Sequence, residues 1–343
     1  MDADVLIIGS GPAGASAARA LRGSGMDTIV LERLSDARFS GYHSICGEAV
    51  SRRMLTLNDI PRGCVVRDID RIYIESPDGG RVSVPADGSI VDRRAMIMTL
   101  LGSSDAEIVR GTATGISRDG DGYIAETTAG TIRCRYLIGA DGAHSVVRRD
   151  LFGTSPAGMV PMVNTIRKGT SEDALTFCVA EKYGGYYSWR FPSSDGTVSV
   201  GFPKGTGDRE EDISHGARHL PFGGVPDAVD GNALLVGDAA GLANALCYGG
   251  IGAAMLSGRK AAEAVMRGRP GSYGRWYRHC IYRDPRFLEA RKAFEGWSDD
   301  EICDAMTPLK GKGTIAHGVA AMIRRPSLSG IYFSIWMGFR HGW

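Results

Sequence analysis

The sequence predicts an α/β protein with an α+β insert: a βαβ domain of discontinuous segments, an antiparallel β-sheet domain and a helical C-terminal region. Three observations predict this class. A glycine-rich turn lies between two apolar runs at the N-terminus, apolar runs at 136–138 and 232–236 are typical of further buried strands, and β-rich runs lie between them from 160 to 202. The nucleotide-binding fold is therefore expected to be interrupted by the second sheet.

The N-terminal stretch has the order strand, glycine turn, helix, strand. The apolar run Val5–Ile8 ends at the turn Gly9–Gly14, a helix-forming run Ala13–Leu21 follows, and a second apolar run, Thr28–Leu31, ends on Glu32. A glycine pattern alone is weak evidence. Framed by two strands, with an acid at the end of the second strand, it is a strong indication of dinucleotide binding.

Each glycine of this turn has a physical role. Gly9 permits the tight turn, Gly11 lets the backbone approach a pyrophosphate, and Gly14 brings the helix against the sheet. The helix N-terminus offers free N–H groups to the phosphates, and Glu32 can accept both hydroxyls of a ribose. The candidate cofactor-binding residues here are Gly9, Gly11, Pro12, Ala13, Gly14, Glu32 and Arg33.

Composition limits the classes of partner. Among 343 residues, 40 are Lys or Arg and 39 are Asp or Glu, so no overall charge points to nucleic acid. The seven cysteines are an odd, scattered set without a CxxC pair, which favours a reducing compartment over a disulfide framework or structural zinc. No signal peptide and no apolar run long enough to span a membrane is apparent. We expect a cytoplasmic protein that contacts a membrane surface at most.

The remaining patterns predict further elements along the chain. In chain order they are a hairpin over 67–84, a helix Arg93–Leu101 capped by Asp92, a small meander over 107–135, short strands within 174–180, 186–191 and 198–202, and a helix Gly250–Met266.

These elements define the expected domains. The Rossmann-like domain comprises residues 1–62, 86–155 and 230–270. Residues 63–85 and 156–229 form the antiparallel sheet that carries the substrate. Residues 271–343 form the helical C-terminal region.

Two later motifs indicate which dinucleotide binds. Residues 136–148, YLIGADGAHSVVR, and residues 233–241, ALLVGDAAG, resemble two segments of the flavoprotein hydroxylase and reductase superfamily, and they follow the glycine turn in the expected order. The resemblance implies that the cofactor is FAD. It also implies that Asp238 meets the ribityl chain, that Arg93 turns toward the phosphates and that Ala113 contacts adenine. The other residues implied at the cofactor are Asp141, Gly249, Gly250, Ile251 and Gly252.

Within that superfamily the chain resembles the geranylgeranyl reductase family. Gly241 stands where aromatic hydroxylases usually have histidine, and residues 241–259 resemble the reductase segment instead. Ile45–Ser51 resembles the Cys-Gly-Glu/Gly segment beside the flavin, and Gly184–Pro192 resembles P-x-x-Y-x-W-x-F-P. Ala245 and Gly184 replace prolines of the family patterns. The resemblance extends to about residue 270.

The family resemblance implies hydrogenation of geranylgeranyl or other polyprenyl double bonds in isoprenoid ether-lipid biosynthesis. Cys46, also expected at the cofactor with Gly47, is the first candidate for the proton donor, and Tyr248 is the second. Strand periodicity places Tyr187, Trp189 and Phe191 on one face, where three rings suit a prenyl chain. Ordinary sheet core is the alternative interpretation of these rings.

Two other functions are compatible with the sequence. Tyr187, Trp189 and Phe191-Pro192 also loosely resemble a halogenase segment, so a flavin monooxygenase or halogenase is the alternative enzyme. A flavin-binding or lipid-carrier protein without catalysis is a third hypothesis. The sequence shows no second glycine fingerprint that would bind NAD(P)H. The expected electron donor is therefore either a ferredoxin or NAD(P)H in a transient contact.

Two weaker patterns complete the candidates. His215 and His219 are spaced as on one face of a helix, which is half of a zinc site at most, and no metal is expected. Residues 324–340 mix basic and aromatic residues, a composition typical both of a surface helix that dips into anionic lipid and of a docked C-terminal helix.

Overall fold

Two β-sheets and ten α-helices are found in the part of the chain that the computed structural model describes, residues 2–43, 46–194, 196–207, 212–341 and 343. The strands are β1 (Ala3–Ile8), β2 (Thr28–Glu32), β3 (Ala49–Ser51), β4 (Val65–Glu75), β5 (Arg81–Val91), β6 (Glu107–Arg110), β7 (Ala113–Asp119), β8 (Gly122–Thr127), β9 (Gly130–Gly139), β10 (Gly158–Lys168), β11 (Ala174–Cys178), β12 (Ser188–Pro192), β13 (Thr197–Pro203), β14 (Ser214–Phe222), β15 (Val229–Asp230), β16 (Ala233–Leu235) and β17 (Gly311–Lys312). The helices are α1 (Pro12–Ala20), α2 (Asp36–His43), α3 (Arg52–Leu57), α4 (Arg93–Gly102), α5 (Ile251–Met266), α6 (Pro270–His279), α7 (Pro285–Phe294), α8 (Asp299–Met306), α9 (Ile315–Arg324) and α10 (Ser329–His341).

The first sheet is the predicted nucleotide-binding sheet. Its strands have the order β15-β16-β9-β1-β2-β6, and the pairs β16–β9, β9–β1, β1–β2 and β2–β6 are parallel. Strands β7 and β8 extend β9 as an antiparallel meander. Parallel strands end at the same edge of a sheet, so the turns after β1, β9 and β16 lie side by side although more than 200 residues separate the first from the last.

One strand assigned to the meander belongs elsewhere. The sequence pattern predicts a single antiparallel unit over residues 107–135, but β6 pairs parallel with β2, with Val30 opposite Ile108. Helix α4 precedes β6 and returns the chain to the same end of the sheet, which gives a parallel rather than an antiparallel neighbour. The predicted cap of α4 is confirmed, since the Asp92 carboxylate accepts from the Ala95 N–H at 2.8 Å.

Glycines allow helix α1 to pack closely against the turn after β1 and against helix α5. A Cβ on Gly14 would lie 1.9 Å from the Gly9 carbonyl oxygen, and a Cβ on Gly258 would lie 2.0 Å from the Ala13 carbonyl oxygen. Helix α1 therefore packs directly against the turn that precedes it and against α5. The role predicted for Gly14 is confirmed, whereas that of Gly258 was not predicted.

The second sheet has the strand order β14-β10-β13-β12-β11-β4-β5-β17, with β3 beside β5. It is largely antiparallel as expected, but β11–β4 and β17–β5 are parallel pairs. The predicted hairpin is confirmed as β4 and β5. Strand β5 continues past residue 85, the predicted domain boundary, and lies wholly in this sheet, because its register with β4 extends to Val91 opposite Val65.

The C-terminal region is helical and packs against the body of the protein. Helix α10 contacts α7 and α9, and the Phe339 ring lies 5.1 Å from that of Phe177 between centroids. The basic and aromatic segment is thus a docked helix. In the described part of the chain, no helix combines the length and the apolar character that crossing a membrane requires.

Candidate active site

The glycine turn and the end of β2 are joined by hydrogen bonds. The Ser10 N–H donates to Glu32 Oε2 at 3.0 Å, and the Leu34 N–H donates to Glu32 Oε1 at 2.7 Å. Gly9 has φ +94°, and a Cβ there would lie 2.5 Å from the Ala140 carbonyl oxygen. A Cβ on Gly11 would meet nothing within 4 Å. The backbone at Gly11 is therefore open to a ligand, while that at Gly9 is closed by the neighbouring turn.

A cleft of about 600 Å³ lies between the two sheets and contains most of the predicted site. The predicted residues that line it are Gly9, Gly11, Pro12, Ala13, Glu32, Arg33, Cys46, Gly47, Arg93, Ala113, Asp141, Tyr187, Trp189, Phe191, Asp238, Tyr248, Gly249, Gly250 and Ile251. Gly14 and Gly252 do not line it. Gly14 packs on the turn, and a Cβ on Gly252 would lie 2.7 Å from Met54 Cγ.

Two half-buried carboxylates, Asp141 and Asp238, face this cleft from the ends of β9 and β16. Asp141 accepts from the Val146 N–H at 2.7 Å through Oδ2, while Oδ1 is buried without a hydrogen-bond partner among the described residues. Burial raises the pKa of Asp141, and it raises the pKa of Asp238 to about 6 against the opposing charges of Arg93 and Arg148. Carboxylate acceptors at this position fit the hydroxyls of a dinucleotide, and the N–H groups of the open glycine turn beside them fit its phosphates.

The pKa of Asp238 makes a prediction about stability. In the folded protein without cofactor, the Asp238 carboxyl binds its proton more tightly than it does in the unfolded chain. Its contribution to the free energy of unfolding is therefore fully present below the unfolded pKa of 3.8 and is lost as pH rises through about 6. An Asp238→Asn variant is expected to lose less unfolding free energy than the wild type between about pH 4 and 8. Urea denaturation of both apoproteins across that range measures the difference, and parallel curves would contradict it.

Arg93 lies at the cleft but also holds the backbone of α2. Its guanidinium donates to the Tyr42 and His43 carbonyl oxygens at 3.1 and 3.2 Å. The buried His43 ring lies near the positive charges of Arg93 and Arg218. Burial and these two charges lower the pKa of His43 to about 3. Whether Arg93 also contacts phosphates stays a prediction.

Glu48 is a cleft residue to which the sequence analysis gave no role. Its Oε1 accepts from the Arg93 N–H at 3.2 Å, and burial raises its pKa to about 7, opposed by the Arg93 charge. Its backbone has φ +55°, a strained conformation for a residue with a side chain. The signal in the sequence was an acid directly after Cys46-Gly47. Strain and a pKa near neutrality are both typical of functional positions.

The three predicted rings form one wall of the cleft. Tyr187 donates from its hydroxyl to the Cys247 carbonyl oxygen at 2.5 Å, and Trp189 donates from Nε1 to Ser199 Oγ at 3.4 Å. Ser199 in turn donates to the carbonyl oxygen of Cys46 at 3.2 Å. The rings are therefore buried in a packed cluster and also face the cleft. They are part of the sheet core, and they are also placed where a prenyl chain could contact them.

Helix α10 and the C-terminal residue complete this wall, which the sequence analysis did not predict. Phe339 and Trp343 line the cleft with the three rings. The Ser51 hydroxyl donates to the Trp343 carbonyl oxygen at 2.6 Å and so ties the chain terminus to β3. No periodicity in the sequence connects these residues to β12, because only the packing of α10 brings them there.

Tyr248, the second proton-donor candidate, lies at the same end of the cleft with φ +47°. Its hydroxyl is buried and makes no hydrogen bond within the residues that the structure describes. Burial raises its pKa well above 10. The phenol is therefore protonated at neutral pH, but the anion left after proton transfer is strongly disfavoured.

The histidine pattern belongs to a strand rather than a helix. His215 and His219 both lie on β14, where a spacing of four residues separates them by about 13 Å. His219 instead meets His144 of the turn after β9, with Nδ1 and Nε2 3.1 Å apart. Among the described residues, no cluster of three or more His, Cys, Asp or Glu side chains forms a metal site.

Comparisons with known proteins agree with this geometry. A family model described as an FAD binding domain matches residues 2–48 and 99–185, which include the glycine turn and the Asp141 turn. Digeranylgeranylglycerophospholipid reductase 2 of Methanopyrus kandleri is 27% identical over an alignment that covers 96% of this chain and 98% of that protein. Geranylgeranyl diphosphate reductase of Rhodobacter capsulatus is 29% identical, with coverage of 78% of this chain and 75% of that protein.

Solved structures agree in fold. A geranylgeranyl bacteriochlorophyll reductase-like protein from Thermoplasma acidophilum matches with a TM-score of 0.78 at 18% identity, covering 96% of this chain and 99% of that one. A flavin-dependent brominase matches with a TM-score of 0.62, also at 18% identity, covering 98% and 89%. At these identities the structural likeness shows the fold alone.

Proposed function

From the premise that the chain is a homologue of the geranylgeranyl reductases and carries an FAD-binding domain, we propose that it hydrogenates carbon–carbon double bonds of geranylgeranyl or other polyprenyl chains in isoprenoid ether-lipid biosynthesis. One observation carries the proposal. The wall formed by Tyr187, Trp189 and Phe191 faces the same cleft as the glycine turn and Asp238. A prenyl chain offers only apolar surface for recognition, and aromatic side chains bind such surface.

The reaction adds one hydride and one proton across the double bond. Reduced FAD, when bound, supplies the hydride. The chain must then provide the proton to the other alkene carbon and keep water away from the reacting atoms. The buried rings of the wall exclude water from this end of the cleft.

We assign the proton to the Glu48 carboxyl. A general acid is most effective when its pKa lies near the working pH. The pKa of the Glu48 carboxyl is about 7, so near neutral pH a substantial fraction of it carries a proton, and the carboxylate that remains after proton transfer is tolerated in the site. The Arg93 N–H that bonds to Oε1 holds the carboxyl in place. The buried Tyr248 phenol is a weaker acid in this environment, and the half-buried Cys46 stays a candidate within reach of the same space.

The function is tested by anaerobic incubation of dithionite-reduced holoenzyme with a geranylgeranyl lipid. We expect mass gains of two hydrogens for each double bond reduced, together with reoxidation of the flavin. Product formation that requires oxygen would instead support a monooxygenase or halogenase. A flavin that no prenyl lipid reoxidises would support a binding protein without catalysis.

The electron donor and the membrane contact remain proposals. For the electron donor we propose either a ferredoxin or NAD(P)H, since the sequence has no second glycine fingerprint for a nicotinamide cofactor. Peripheral contact with a membrane is supported by helix α9, where Ile315, Val319 and Ile323 are 64%, 49% and 73% exposed on one face and Arg324 follows. An exposed apolar face next to a basic residue is typical of helices that lie on anionic lipid.

A further inference from the structure

Residues 46–48 lie between β13 and the end of β5 and are held from both sides. The Ser199 hydroxyl on β13 donates to the Cys46 carbonyl oxygen at 3.2 Å. At the other end of the segment, the Val91 N–H on β5 donates to the Glu48 carbonyl oxygen at 3.0 Å. One end is therefore fixed by a side chain and the other by the main chain.

The surroundings of Ser199 direct its proton to that carbonyl oxygen. A hydroxyl has one proton to donate and two lone pairs that accept. Asn164 Nδ2 and Trp189 Nε1 donate to Ser199 Oγ at 2.8 and 3.4 Å, which occupies both lone pairs. The Asn164 amide is itself oriented, because its Nδ2 also donates to the Val200 carbonyl oxygen at 3.0 Å. The hydroxyl therefore has one orientation, toward Cys46.

The three side chains of this network are shielded from water. Ser199, Asn164 and Trp189 are 2%, 5% and 9% exposed. Hydrogen bonds in such surroundings are stronger than at the surface, and removing one partner leaves the other without water to replace it. The network therefore holds the Cys46 carbonyl more firmly than an exposed hydrogen bond would.

The segment packs on the aromatic wall without a gap. A Cβ on Gly47 would lie 3.0 Å from the Phe191 ring and 3.3 Å from Trp189 Nε1. The next residue, Glu48, has φ +55°, a strained conformation that persists only where the surroundings enforce it. Ser199 supplies a constraint on one side of Gly47, and the main-chain contact of Glu48 supplies one on the other.

We propose that Ser199 is a positioning residue for the general acid. By fixing the Cys46 carbonyl oxygen, its hydroxyl keeps Gly47 against the wall and holds Glu48 in the strained conformation that places its carboxyl in the cleft. Ser199 lies behind the segment and not among the residues that line the cleft, so it acts through Glu48 rather than on the substrate. The inference rests on the proposed function, because the role of Glu48 does.

The first test is the pH profile of alkene reduction by Ser199→Ala holoenzyme saturated with FAD. Without the hydroxyl the segment relaxes and the Glu48 carboxyl gains water, so its pKa falls from about 7 toward the ordinary value. The pH at which the single-turnover rate falls by half is expected to move down by about one unit or more. The charged groups that act on this carboxyl, Arg93 and Asp92, are unchanged in the variant, as is the Cys46 thiol of the same segment.

Thr165→Val is the matched control. Thr165 is 1% exposed on β10, and its hydroxyl donates to the Val200 carbonyl oxygen on β13 at 3.3 Å. The variant thus loses a buried hydroxyl from the same pair of strands but no contact with residues 46–48, and it is expected to keep the wild-type pH profile. Ser199→Cys retains a weak donor of similar size and is expected to recover part of the shift.

The second test needs no turnover. Glu48→Gly removes the backbone strain, because glycine adopts a positive φ without cost. If Ser199 enforces that strain, Ser199→Ala has already released it. The effect of Glu48→Gly on the urea midpoint of the FAD-saturated holoenzyme is therefore expected to be more favourable in the wild-type background than in Ser199→Ala.

Three results would overturn the proposal. The first is an unchanged pH midpoint in Ser199→Ala, even at a lower rate, and the second is an equal shift in Thr165→Val. The third is additivity of Ser199→Ala and Glu48→Gly in the urea midpoint, which would show that the two positions are independent. A wild-type holoenzyme that reduces no prenyl lipid would refute the proposed function, and the urea comparison would then decide by itself whether Ser199 holds Glu48.

Discussion

A Gly14→Ala variant is expected to lose FAD and to have a free energy of unfolding lower by about 3 kcal/mol, within the range known for overpacked interiors. A Cβ at this position would lie 1.9 Å from the Gly9 carbonyl oxygen and 3.3 Å from the Ala140 side chain. The atom that it meets first belongs to backbone and cannot rotate away. Helix α1 must therefore move off the turn, which displaces the N–H groups that face the cleft.

Gly11→Ala is the matched control, three residues earlier in the same turn. A Cβ there would meet nothing within 4 Å, and the backbone has φ −62°, which alanine adopts without strain. Its stability is expected to change by less than about 1 kcal/mol, whereas FAD affinity is expected to fall because the methyl group occupies the approach to the backbone. Urea denaturation of the apoproteins and FAD titration measure the two effects. Similar behaviour of the two variants would refute this division of roles.

A Glu48→Gln variant is expected to slow alkene reduction by about 100-fold or more, as the loss of a general acid does, while FAD remains bound. The amide keeps the size of the side chain and can still accept from the Arg93 N–H, but its N–H protons are too weakly acidic to be transferred. Single-turnover reoxidation of dithionite-reduced holoenzyme by a geranylgeranyl lipid measures the rate. The FAD titration gives a readout that does not depend on turnover.

The pH dependence identifies the acid. The Glu48 carboxyl donates only when protonated, and its pKa is about 7, so the wild-type rate is expected to fall as pH rises through about 7. Glu48→Gln is expected to lack this decrease. Cys46→Ala and Tyr248→Phe remove the other two candidates and are expected to retain it. Persistence of the decrease in Glu48→Gln would exclude the carboxyl as its origin.

A further variant separates strain from chemistry at this position. Glu48 has φ +55°, which glycine adopts without cost. Glu48→Gly is therefore expected to be at least as stable as the wild type, by up to about 1 kcal/mol, and yet slow in alkene reduction. A variant that is more stable but less active would show that the strained backbone is retained for function.

Most of the cofactor-binding residues predicted from the sequence line one cleft of the structure. The turn Gly9–Gly14 and Glu32 belong to one short strand–helix–strand unit, and their spacing within it determines their geometry. The GADG and GDAAG segments each follow a buried strand, and strands of a parallel sheet bring such turns to one edge. Asp141 and Asp238 could therefore be assigned to the same cleft as the turn before any contact was known.

The sequence was less informative about residues whose position depends on which strand pairs with theirs or on the packing of a distant helix. The spacing of His215 and His219 suits a helix as well as a strand, and pairing of β14 with β10 decides for the strand. The prediction that Glu107–Arg110 belongs to the antiparallel meander was wrong, because the periodicity of a strand does not identify the strand with which it pairs. Glu48 lay in a recognised segment, but its pKa depends on burial that only the folded chain provides.

Local spacing by itself determined the dinucleotide turn, the strand ends that carry acids and the alternation that puts Tyr187, Trp189 and Phe191 on one face. These features depend on residues close together in the chain, where bond geometry fixes the period. Only the tertiary structure placed Arg218 on the cleft-facing surface, Phe339 and Trp343 beside the aromatic wall, and Glu48 next to Arg93. Those contacts join segments far apart in sequence, and they are set by strand register and helix packing rather than by any local pattern.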